Sequence, residues 1–126
     1  MTEAQTALAE LTEISSQVEA AVLFDGSGAV AAATLPDEAA ARLASSALAL
    51  LESAEQLREG ELTQVEAATS EGSLFVARDG VQLIAAVTGP EPTAGLVFYD
   101  LKSSLRRAAE KPKPKRRPRA KASGTS

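Results

Sequence analysis

Two apolar segments, Leu74–Arg78 and Val81–Thr88, are separated only by Asp79-Gly80. So short a gap calls for a tight hairpin, and Asp-Gly suits the positive φ angles of a two-residue type I′ loop. The two segments are therefore predicted to be neighbouring antiparallel strands, around which the rest of the chain must pack. Just upstream, Leu62–Ser70 alternates Thr63, Val65, Ala67 and Thr69 against Gln64, Glu66 and Ala68. That period of two marks a strand with one buried and one wet face, and Glu71-Gly72-Ser73 turns it into Leu74. Nearer the N-terminus, Ala21–Phe24 and Val30–Thr34 flank Asp25-Gly26-Ser27-Gly28, the pattern of a second hairpin.

The remaining segments follow the helical period. From Glu3 to Val18 the residues Ala4, Leu8, Leu11, Ile14 and Val18 share one face, with Glu3, Glu10, Glu13 and Gln17 on the other. Thr34-Leu35-Pro36-Asp37 has the form of a helix start, with Thr34 as the cap. The helix it opens is expected to run to about Leu57, before Gly60. Gly89-Pro90-Glu91-Pro92 closes the strand region, and a last helix from near Thr93 places Val97, Phe98, Leu101, Leu105 and Ala108 on one face. The order is α-β-β-α-β-β-β-α. Short turns make the strands antiparallel, and helices must cover the sheet in an α+β sandwich, within the broad α/β class.

Length and composition narrow the function. With 126 residues there is room for one domain. Cys and His are both absent, which removes disulfides, thiolate nucleophiles, imidazole bases and conventional zinc sites. The expectation is a protein that is not an enzyme and uses no cofactor or metal. Glycines 26 and 28 lie between strands and lack the Lys of a phosphate loop, so they are read as a turn. Helical acids such as Asp37/Glu38 and Glu52/Glu55 are read as a solvated face, and no polar cluster inside an apolar segment suggests a ligand sensor. No segment has the form of a secretory signal or a membrane span, so a cytoplasmic location is expected.

The net charge of −4 conceals a segregation. Residues 1–110, the expected domain, carry six basic residues against all 17 acidic ones, a net −11. Residues 111–126 carry Lys111, Lys113, Lys115, Arg116, Arg117, Arg119 and Lys121 with no acid, a net +7. This Lys/Arg/Pro segment has no apolar residue larger than Ala and is expected to be a disordered basic tail. Its charge suits nonspecific binding to nucleic acid or anionic membrane, and the absence of aromatics argues against sequence recognition.

The order and spacing of elements resemble the roadblock/dynein light chain family. Ala21-Val22-Leu23-Phe24-Asp25-Gly26-Ser27-Gly28 is similar to the family's opening strand and turn. Leu74–Val87 around Asp79-Gly80 is similar to its later hairpin, and Ala94-Gly95-Leu96-Val97-Phe98-Tyr99-Asp100-Leu101 to the start of its final helix. The resemblance spans roughly residues 3–108. It implies a five-stranded antiparallel sheet, with the long middle helix on one face and the terminal helices on the other. It also implies a homodimer that pairs third strands across a twofold axis with middle helices side by side, serving as a scaffold or regulator of a small Ras-like GTPase. The alternative function is a dimeric adaptor whose basic tail carries the binding.

One sequence feature points independently to a partner. On the middle helix, Glu38, Arg42, Ser45, Ser46, Glu52, Ser53 and Gln56 form one side, and the remaining arc is apolar over about 200°, against the ~100° an ordinary surface helix needs. Alanine favours helix even when exposed. Leu48 and Leu51, across the arc from Leu43 and Leu50, are harder to place in solvent. With the third strand read as a sheet edge, the expected dimer interface comprises Ala44, Leu48, Leu51, Thr63, Val65 and Ala67. Arg58 and Arg78 are the only arginines of residues 1–110 with loop positions from which a cation could reach a GTPase site, and neither is expected to be catalytic.

Overall fold

The computed structural model describes residues 2–57 and 60–109. Its elements are α1 (Glu3–Ile14), β1 (Val18–Asp25), β2 (Val30–Ala33), α2 (Asp37–Glu55), β3 (Gln64–Thr69), β4 (Gly72–Asp79), β5 (Gln82–Thr88) and α3 (Ala94–Ala109). The five strands form one antiparallel sheet in the order β2-β1-β5-β4-β3. Each face carries its own core. On one side Ala7, Leu8 and Leu11 of α1 and Val97, Leu101 and Leu105 of α3 pack on Leu23, Phe75, Ile84 and Ala86. On the other, Ala40, Ala44, Ala47 and Leu51 of α2 meet Val22, Phe24, Val76, Leu83 and Ala85. The central strands β1, β4 and β5 are thus buried on both faces, which is why they read as continuous apolar runs. The layering is the expected one.

Several boundaries differ from the expectation. The first helix stops at Ile14, where Ser15 takes over its last backbone bond at 2.8 Å to Leu11. Serines prefer such non-helical positions, so Val18, in phase with the helix, instead opens β1 opposite Thr88, and Ile14 is 73% exposed. That helix begins with a capping box, Thr2 and Gln5 each accepting the other's backbone N–H. Thr34 does not cap α2. Its hydroxyl oxygen accepts the Ala21 N–H at 2.9 Å, tying the end of β2 to β1. Pro36 occupies the cap position without a side-chain bond, and Asp37 and Glu38 in the first turn complement the helix dipole.

The β4–β5 hairpin also differs in detail. Asp79 pairs with Gln82, so the two loop residues are Gly80 and Val81. Gly80 has φ +63° while Val81 is not among the residues of positive φ, the pattern of a type II′ turn. A β-branched valine disfavours the left-handed conformation that type I′ requires at its second position. The loop shifts by one residue and leaves Val81 81% exposed.

α3 begins beside the end of α1, where Gln17 Oε1 accepts the Thr93 N–H at 2.6 Å. Farther along, the Ser104 hydroxyl donates to the Ala7 carbonyl at 3.2 Å. The two helices therefore run antiparallel, and α3 ends near the start of α1. Residues 111–126, expected to form a disordered basic tail, lie outside the described residues.

Candidate functional site: the flank of α2 and the edge of β3

α2 buries Ala40, Ala44, Ala47 and Leu51 along its centre line, at 0–1% exposure. Small residues there let the helix backbone approach the sheet closely. Leu48 and the pair Leu43/Leu50 project from opposite flanks of that line, as helical spacing requires, and all three are half-buried. Leu48 leans toward the β1–β2 turn, above a cleft it shares with Asp25, Ser27, Arg78 and Val81. Leu43 and Leu50 lie on the other flank, and the half-buried Leu62, Val65 and Leu74 pack against the same core.

β3 is an edge strand. Among the described residues it pairs only with β4, in the register Val65↔Val76 and Ala67↔Leu74. Directly paired residues share a sheet face, so Val65 and Ala67 look toward α2. Both are half-buried, Glu66 on the opposite face is exposed, and no residue of β3 is fully covered. The strand has one charged residue and no proline, so it carries little of the protection usual on an exposed edge. Thr63 lies just before the strand and is exposed; its carbonyl accepts the Arg78 N–H at 2.9 Å.

These positions sort the expected interface residues. Ala44, at 0% exposure, and Leu51, at 1%, are covered by the protomer's own sheet and cannot touch a partner. The core takes the middle of the apolar arc and leaves the leucines of the two flanks half-buried. Leu48, Thr63, Val65 and Ala67 retain accessible surface, and Leu43, Leu50 and Leu74 join them. The helical wheel contains Leu43 and Leu50, but nothing in one sequence distinguishes the covered part of an arc from the uncovered part.

Arg78 is not on a mobile loop. It lies in β4, its guanidinium paired with Glu55 at 2.8 Å and Glu61 at 3.0 Å. Since Glu55 also accepts the Leu62 N–H at 3.3 Å, this cluster pins the end of α2 to the approach to β3. Arg58 lies outside the described residues. At the neighbouring turn, Asp25 accepts the Ser27 hydroxyl at 2.6 Å, the Ser27 N–H at 2.9 Å and the Ala29 N–H at 3.2 Å. These bonds hold its carboxyl below the usual aspartate range. The glycine pair therefore forms a turn, with Gly28 at φ +89°. Among the described residues, no group of His, Cys, Asp and Glu is arranged to hold a metal, and no helix is long and apolar enough to cross a membrane.

Comparison with known proteins decides the family. The Roadblock/LC7 domain model matches residues 4–88. The chain belongs to the Roadblock/LC7 family. The match ends with β5, so the α3 stretch Ala94–Leu101, on which part of the resemblance rests, falls beyond it. Solved structures extend the likeness further. A Roadblock/LC7 domain from Streptomyces avermitilis is 22% identical with a TM-score of 0.70, covering 78% of this chain and 88% of its own. Myxococcus xanthus MglB is 16% identical with a TM-score of 0.69, covering 83% and 84%. The gliding protein MglB of Thermus thermophilus is 23% identical with a TM-score of 0.64, covering 85% and 86%. At these identities the likeness is one of fold. No curated protein sequence matches the chain.

Proposed function

We propose that this Roadblock/LC7 protein is a non-catalytic homodimeric scaffold and regulator of a small Ras-like GTPase. The observation that carries the dimer is the half-buried apolar flank of α2, Leu43 and Leu50, on the sheet face toward which Val65 and Ala67 of the open β3 edge also look. An edge strand supplies backbone hydrogen bonds and an apolar helix flank supplies burial, the two ingredients of a twofold contact. Family membership supports the GTPase, because roadblock proteins serve as scaffolds and regulators of such enzymes. The absence of Cys and His supports a non-catalytic role.

The test has two arms. Light scattering of the full chain should return twice the protomer mass, and Leu43→Glu with Leu50→Glu should give a folded monomer. A monodisperse wild-type monomer would remove the dimer. For the GTPase, the purified protein should bind a Ras-like GTPase from the same organism with a preference for one nucleotide state. Equal binding to both states, or none, would count against regulation.

The second reading, an adaptor led by its tail, is favoured by the +7 charge of residues 111–126. In that reading Lys111, Lys113, Lys115, Arg116, Arg117, Arg119 and Lys121 hold nucleic acid or anionic lipid by charge. Truncation after Glu110 would then abolish that binding and leave the dimer intact.

A further inference from the structure

A groove runs between α1 and α3, in the layer opposite α2. Ala7, Leu11 and Ile14 line it from the first helix, and Tyr99 and Asp100 from the last. Its volume is about 140 Å³, close to that of an engineered protein cavity that admits benzene. One side chain fits such a space; a nucleotide does not. Asp100 is the feature of the groove that the fold itself does not explain. It is 9% exposed, and aspartate is almost never so buried unless paired. Among the described residues its carboxylate accepts no hydrogen bond and is paired with no cation. Donors nearby are engaged elsewhere: the Ser104 hydroxyl with the Ala7 carbonyl at 3.2 Å, Arg106 with Ser103 at 3.3 Å and Arg107 with Glu10 at 2.7 Å. Glu10 and Arg107, the other charged residues of the groove, cancel one another. One buried negative charge is left.

We infer that this groove receives an arginine side chain of a partner protein, with its guanidinium on Asp100 and its hydrocarbon stem against Leu11 and Ile14. Charge complementarity selects the occupant. A planar guanidinium meets a carboxylate through two parallel hydrogen bonds and also stacks on aromatic rings. Tyr99, 66% exposed, supplies the ring at the same groove. Apolar walls suit the three-methylene stem that arginine buries behind its charge. A divalent metal ion does not fit, because it needs several oxygen ligands and only one carboxylate here is free. A free guanidinium compound would leave Ile14, 73% exposed, and Leu96, 51% exposed, in water. Leu96 stands one helical turn before Tyr99 and Asp100, so apolar residues flanking an arginine in a polypeptide would cover both. The groove lies across the sheet from the α2 flank, and the inference stands or falls apart from the proposed dimer.

The chain has one tyrosine and no tryptophan, so its intrinsic emission reports on Tyr99 alone. The full-length protein would be titrated with the capped tripeptide leucine-arginine-leucine, with the same peptide carrying citrulline, and with agmatine. Citrulline keeps the shape of arginine and lacks its charge; agmatine is a free guanidinium compound. Tyrosine emission and backbone amide shifts would be the readouts. The arginine peptide should bind saturably, moving the Tyr99 signal and the Ala7 and Ser104 amides, and the citrulline peptide should bind about tenfold more weakly. Asp100→Asn keeps the shape and removes the charge. It should fold at least as stably as wild type, since no internal partner is lost, and should weaken the arginine peptide about tenfold without weakening the citrulline one. Equal binding of the two peptides, binding unchanged by Asp100→Asn, or shifts confined to the exposed acids Glu3 and Glu13 would overturn the assignment. So would a wild type that takes up no peptide, the result expected if the chain's own C-terminal cations fill the groove. Agmatine binding as tightly as the peptide would exclude a partner protein, and a loss of stability in Asp100→Asn would show that the carboxylate is paired inside the fold.

Discussion

Asp25 shows how much a single side chain can organise at a turn. One carboxylate oxygen receives three hydrogen bonds across the β1–β2 connection, all of which favour its ionised form. Its folded pKa lies below the ordinary aspartate value, so its stabilising contribution is complete above that ordinary value and is lost as pH falls through the folded pKa. Wild-type protein should therefore lose stability below about pH 4 by a component that Asp25→Asn lacks, measured by urea melts across pH. Gly72 presents a different constraint. A β-carbon there would collide with the Thr88 carbonyl oxygen of the adjacent strand. Gly72→Ala should cost about 2–3 kcal/mol in the same melts, since backbone has to move to admit it. Arg78→Ala removes the tie among α2, β4 and the approach to β3. A half-buried pair of this kind is expected to cost about 1–2 kcal/mol, and any stimulated GTP hydrolysis should survive the change.

At the scale of elements, α2 is held by its alanines. Ala40, Ala44 and Ala47 have essentially no exposed surface, so a longer side chain at any of them must lift the helix from the sheet. Ala44→Leu should destabilise the protein by about 1–3 kcal/mol through overpacking, whereas Ala49→Leu, at an exposed position, should be nearly neutral in thermal melts. The number, order and type of elements were all legible in the sequence, because apolar period and turn chemistry act locally. What sequence could not reveal was decided by contacts between elements. Val18 fits the period of the first helix as well as the first position of a strand, and its pairing with Thr88 decides the matter. Thr34 has the chemistry of a cap but spends its hydroxyl on Ala21. Likewise, Ala44 and Leu51 look like contact residues on the wheel, because it shows an apolar arc without showing where the sheet lies beneath it.

For the whole molecule, the two faces carry unlike chemistry. The α2 side joins a half-buried leucine flank to an open strand edge, and the α1/α3 side exposes Ile14, Leu96 and Tyr99 among charges of both signs. Because a twofold contact stabilises only the associated form, the urea midpoint of the wild type should rise with protein concentration. In the Leu43/Leu50 glutamate variant it should not. The open edge also bears on how such chains choose one another. Gln64, Val65, Glu66, Ala67, Ala68 and Thr69 offer a neighbouring strand mostly backbone, and backbone is common to every polypeptide. A strand of this kind has little means of telling its own copy from a cousin with the same fold. In the proposed dimer, the sorting of self from cousin would fall to the leucine flank of α2, so that changes there, with the strand left as it was, should be enough to alter the pairing.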